Sequence, residues 1–113
     1  MPSRTDPEAR IAALRAQCGG PRDGVLLRVM LGQVLAAAGR HAAACAELER
    51  ALAFDAGYSA AWKLLGRARL DAGDAAGAAA AWQRGITTAE ARGDVQAAKE
   101  MRVFLRRLEA AGD

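Results

Sequence analysis

The chain has 113 residues, enough for one domain, and carries a formal net charge of +3. Hydrophobic residues make up 52% but aromatics only 4%, because much of the apolar content is alanine, the residue that enters a helix at least entropic cost. No segment alternates polar and β-branched residues as a strand does, and no apolar run reaches the length of about eighteen that a membrane span needs, so both are excluded.

The opening MPSRTDPEAR lacks the apolar core of a signal peptide, so no leader is expected. The first helix is predicted over 6–18, with Asp6 as N-cap and Pro7 at the first helical position. CGGPRDG (18–24) then breaks the chain. Helices over 25–38 and 41–54 follow, split by Gly39, and then 58–72 and 75–91, split by Gly73 and Asp74. ARGD (91–94) is the next break, and a final helix covers 94–110. Within it Ala98, Met101, Leu105 and Leu108 fall at helical spacing and form the stripe expected to face inward. Cys18 and Cys45 form no C-x-x-C and read as small buried residues in a reducing cytoplasm.

The middle helices repeat. RVMLGQVLAAAG (28–39) lies over WKLLGRARLDAG (62–73) at an offset of 34 residues. Leu31 falls on Leu65, Gly32 on Gly66 and Gly39 on Gly73, and further along Ala44 falls on Ala78 and Leu48 on Trp82. A mid-helix glycine costs about 1 kcal/mol against alanine. Gly32 and Gly66 are therefore expected where a neighbouring helix comes close, with Ala44 and Ala78 facing them and Leu48 and Trp82 filling the space beside. Gly39 and Gly73 are expected to end their helices in the left-handed conformation.

These residues resemble the tetratricopeptide repeat, a 34-residue helical hairpin with the pattern W-x2-L-G-x2-Y, then A-x3-F and a late proline. Trp62, Leu65, Gly66, Ala78 and Trp82 match it in the second copy, and Leu31, Gly32, Leu35, Ala44, Leu48 and Ala51 in the first. Arg28 stands for the first aromatic, Arg69 for the tyrosine and Gly85 for an alanine, while Ala56 and Glu90 occupy the proline positions. The ending AKEMRVFLRRLEA is similar to that of small bacterial proteins of this type. The resemblance implies an all-α, right-handed helical-hairpin solenoid of about six helices in one domain. Its parts would be a half-repeat helix (6–18), repeats over 25–58 and 59–92, and a capping helix (94–110), since terminal repeats are atypical.

It also implies a non-catalytic module in the bacterial cytoplasm that binds a protein or peptide in the concave groove lined by the first helix of each pair. The implied groove positions are Leu26, Val29, Met30, Gln33 and Ala36 in the first copy and Ala60, Lys63, Leu64, Arg67 and Leu70 in the second. The capping helix would add Ala97, Ala98, Met101 and Phe104. Lys63 and Arg67, four apart on one helix face, suit an acidic peptide or one ending in a carboxylate. The family's chaperone-tail clamp of Lys and Asn is absent: Val29, Gln33 and Leu64 stand at its positions.

Nothing else points to chemistry. His41 is the one histidine and is expected to be exposed or to cap a helix, no phosphate loop or nucleophile motif occurs, and no cofactor or metal is implied. The basic run Lys99, Arg102, Arg106 and Arg107 has only Phe104 beside it, which makes no stacking platform, so no nucleic-acid partner is expected. Membrane insertion is not expected either. Two full repeats are few, which leaves self-association through an end face as the alternative to groove binding, with RNA or membrane-surface binding through the basic C-terminal helix as a more remote third.

Overall fold

A computed structural model describes residues 6–112, so the opening residues read above for a leader begin outside it. Six α-helices follow in order: α1 (Pro7–Ala16), α2 (Val25–Ala37), α3 (His41–Phe54), α4 (Ser59–Asp71), α5 (Ala75–Arg92) and α6 (Val95–Ala111). There is no strand among the described residues. Each helix packs on the next in the chain, and the array measures 47 × 29 × 19 Å. The first helices of successive pairs also touch, α2 on α4 and α4 on α6, whereas α3 and α5 do not meet. The stack therefore bends toward its first helices, and α2, α4 and α6 line its inner face.

Local chemistry sets the helix ends. The Asp6 side chain accepts from the Glu8 N–H, and Asp74 and Asp94 do the same for Gly77 and Ala97, each satisfying a donor that the helix leaves unpaired. At the other ends Gly39 (φ +79°) and Gly73 (φ +90°) turn left-handed. The next residue then donates back across the turn, Arg40 to the Leu35 carbonyl at 2.9 Å and Asp74 to that of Arg69 at 2.8 Å. These paired bonds close both hairpins in the same way.

The core is built on the two Leu-Gly pairs. A Cβ on Gly32 would lie 2.8 Å from Leu48 Cγ, and one on Gly66 would overlap the Trp82 indole. Leu31, Leu35, Leu48 and Leu65 are almost fully buried, and Ala44 and Ala78 are completely so. Burial of each such leucine contributes about 1.5–3 kcal/mol. Both indoles are satisfied: Trp62 donates to the Ala56 carbonyl at 2.8 Å and Trp82 to that of Lys63 at 3.1 Å.

The departures from the repeat pattern have physical counterparts. Arg28, in the place of Trp62, donates from Nε and Nη2 to the Asp23 carboxylate at 2.9 and 2.8 Å. Its Nη1 reaches Glu47 on α3 at 2.8 Å, and Arg50 also donates to Glu47. Glu47 is the equivalent of Ala81, so a polar pair has replaced an apolar one at both positions. The Arg28 guanidinium and the Gly19 N–H hold the Asp23 carboxyl down at about 2. Arg69 bridges Glu49 on α3 at 3.1 Å and the Gly77 carbonyl on α5 at 3.1 Å. Gly85 lets in Met101 and Trp62, whose Cβ would sit 2.7 Å from an added methyl.

Two expectations change. Cys18 and Cys45 are half-buried free thiols rather than core residues, though burial still pushes the Cys45 thiol up. His41 is half-buried and caps nothing: it begins α3, and its Nδ1 is enclosed without a hydrogen-bond partner among the described residues.

Candidate functional site

The residues expected to line a groove fall in two areas, one on α2 and one between α4 and α6. On α2, Leu26 and Met30 are 61% and 43% exposed, large apolar side chains left facing water, and Gln33 is exposed beside them. Met30 and Gln33 share an open cleft of about 440 Å³ with Pro7 and Arg10 of α1 and with Val34, Ala37 and Ala38.

On α4, Lys63, Arg67 and Leu70 face α6 instead. Lys63, Leu64, Arg67 and Phe104 line one recess of about 170 Å³, and Arg67, Leu70, Trp82, Phe104, Arg107, Leu108 and Ala111 line another of about 250 Å³. Arg67 and Phe104 line both, so the two recesses adjoin along the α4–α6 seam and together form the α4–α6 cleft. Phe104 is fixed from below by Trp82, with ring centroids 5.5 Å apart and planes tilted by 47°.

The charges are partly committed within the chain. Lys63 Nζ donates to Glu100 Oε2 at 2.9 Å, and this bond is the chief reason the Glu100 carboxyl lies below its usual value. Arg67 meets Asp71 at 3.4 Å across one helix turn, with its side chain 68% exposed. Arg107 is exposed and has no carboxylate within ion-pair distance among the described residues.

Met101 corrects the expected site. It is completely buried against Gly85, so it forms part of the core beneath α6 and offers nothing to a ligand. Val29, Ala97 and Ala98 are buried as well. The expected stripe on α6 is thus only half right: Ala98 and Met101 point inward, while Leu105 and Leu108 stay half-buried. Arg107, Leu108 and Ala111 are the lining residues of α6 that sequence reasoning missed. The spacing of Phe104, Arg107, Leu108 and Ala111 places them on one helical face, which is the signal that marks them.

Over 89 residues the chain is 52% identical to a TPR (tetratricopeptide repeat) repeat-containing protein of Pseudomonas aeruginosa, an alignment spanning 79% of this chain and 85% of the relative. The chain belongs to the tetratricopeptide repeat family. Solved structures agree. A Bordetella parapertussis protein known from its solution structure is 43% identical with a TM-score of 0.79, covering 98% of this chain and 91% of that one. The Sgt2 TPR domain of Aspergillus fumigatus is 28% identical with a TM-score of 0.76, over 96% of this chain and 69% of that one. No family model matches the chain. The tetratricopeptide fold is that of a protein-interaction scaffold, here in a chain with bacterial relatives. No helix among the described residues is long and apolar enough to cross a membrane.

Proposed function

We propose that this chain is a non-catalytic scaffold of the bacterial cytoplasm that holds a segment of a partner protein on the inner face formed by α2, α4 and α6. The exposure of Leu26 and Met30 on that face carries the reading. Large apolar side chains held in water beside open clefts are stabilised when a partner covers them. Leu26, Met30, Gln33, Lys63, Arg67 and Leu70 are the proposed contacts. The bound segment is acidic or ends in a carboxylate, matching the cations on α4. The test is capture from a bacterial lysate, read by mass spectrometry, with wild type beside Lys63→Glu/Arg67→Glu and circular dichroism to confirm equal helicity. A protein held by wild type and released by the double variant supports the reading. Equal retention by both places the binding surface elsewhere.

One observation favours a second reading. The α1–α2 cleft is lined by Met30 and Val34 and is filled by no helix among the described residues. A second copy seated there would complete the stack. Recovery of only the chain itself, with a mass that rises with concentration, would support self-association.

A further inference from the structure

We propose that the α4–α6 cleft is the anchor site of the bound segment and that it takes an apolar side chain with an Asp or Glu carboxylate close by in the same peptide. This rests on the inner face being the binding face and adds the chemistry of the ligand to it.

The walls of the cleft are apolar, from Leu64 and Phe104 at one end to Leu70 and Leu108 at the other, and Phe104 is braced by Trp82. A braced aromatic wall loses little freedom when a side chain lies against it, which keeps the entropic cost of docking low. The rim is cationic. Lys63, Arg67 and Arg107 line the cleft, and among the described residues two of the three meet a carboxylate: Lys63 is bound by Glu100, and Arg67 is weakly engaged by Asp71 at 3.4 Å. Arg67 from α4 and Arg107 from α6 both line the same recess. A guanidinium from each helix suits a carboxylate above an apolar floor, where the low-dielectric walls strengthen the attraction. The carboxylate belongs to a side chain and not to a chain end. Lys63 lines one recess and Ala111 the other, so the seam extends beyond the anchor in both directions, and Val29 and Leu64 offer no donor at the positions of the family's terminal-carboxylate clamp.

The experiment selects peptides from a random phage-displayed library on the wild-type protein. The best sequences are then synthesised with each Asp or Glu and with its amide counterpart. Affinities are read by fluorescence polarisation at low and high salt for wild type, Arg107→Gln and Asp71→Asn. Selected peptides should pair an apolar residue with a neighbouring acidic one. Replacing that carboxylate by the amide, or Arg107 by Gln, should weaken binding roughly tenfold, the loss of one charge-assisted hydrogen bond. Asp71→Asn should tighten it by removing the internal competitor for Arg67, and added salt should weaken the acidic peptide alone. Selected peptides without an acidic preference, or bound equally by Arg107→Gln, overturn the assignment and leave the inner-face reading standing. A library yielding no binder overturns both.

Discussion

The Trp82 indole lies in the space that a side chain at Gly66 would fill, and its N–H bonds the Lys63 carbonyl at 3.1 Å. Two effects therefore oppose each other in Gly66→Ala. Helix propensity gains about 1 kcal/mol, while overpacking against a large, rigid ring costs about 1–3 kcal/mol. A net destabilisation of about 1 kcal/mol is expected, with a shift in tryptophan emission as the indole loses its acceptor. Gly32→Ala should cost less, because its added methyl meets the Leu48 side chain at 2.8 Å and that side chain can change rotamer. Urea unfolding followed by fluorescence and circular dichroism measures both. A Gly66→Ala midpoint at or above wild type would show that the ring has room to move.

Arg28 tests whether a charge can replace an aromatic in the repeat. It joins Asp23 in the turn after α1 to Glu47 on α3, with side chains only 14%, 11% and 8% exposed. Arg28→Ala leaves Asp23 with only its backbone donors and Glu47 with only Arg50, and a loss of about 1–3 kcal/mol is expected, the range for hydrogen bonds to charged groups. Arg28→Trp/Glu47→Ala installs the residues that the second repeat carries at these positions. Replacing a charged cluster by an apolar pair is often neutral or stabilising. The double variant should therefore unfold at a higher urea concentration than Arg28→Ala, near wild type. A double variant as weak as Arg28→Ala would mean that the site is shaped for the guanidinium alone.

How much of this could be read from the residues follows from what each signal measures. Gly32 and Gly66 gave away the close helix contacts because glycine in a helix is costly, and Gly39 and Gly73 gave away the hairpin ends because few other residues turn left-handed there. The helices fall within two residues of where capping and breaking residues put them. Position in the repeat could not say which side chains stay in the groove. Met101 occupies a groove position, yet Gly85 opposite leaves a hollow that draws it into the core. Nor could it show that Glu100, a whole repeat away, binds Lys63, since such a partner is set by where the last helix docks. Arg107 is one of a basic run in the sequence, and only the docking of α6 on α4 brings it to the same recess as Arg67.

The network around Arg28 also sets a pH dependence. The Asp23 carboxyl, held down at about 2 by the hydrogen-bonded Arg28 guanidinium, ionises at about 3.9 in an unfolded chain. A group whose folded pKa is depressed contributes stability that is complete above its unfolded value and lost as pH falls through its folded one. The Asp23 contribution is therefore full at neutral pH and declines between about 4 and about 2. Asp23→Asn should be less stable than wild type at neutral pH, with the gap closing across that window. Thermal unfolding of both proteins over an acid series checks this, and a constant gap would separate the Asp23 effect from its charge.

The Lys63–Glu100 pair separates stability from binding. Its side chains are 32% and 35% exposed, so water and salt already weaken it, and surface pairs of this kind add little to folding. Glu100→Gln should leave the unfolding midpoint nearly unchanged. It should also release the Lys63 ammonium into the cleft beside Arg67, raising the positive charge that an acidic peptide meets. Tighter binding of such a peptide is expected, with a steeper loss on adding salt, because one more exposed cation takes part. Calorimetric titration of an acidic cleft-binding peptide into both proteins, at low and at moderate ionic strength, reads the two effects together. If affinity is unchanged while the fold is intact, Lys63 serves only to dock α6 on α4, and the cations that face the ligand are Arg67 and Arg107.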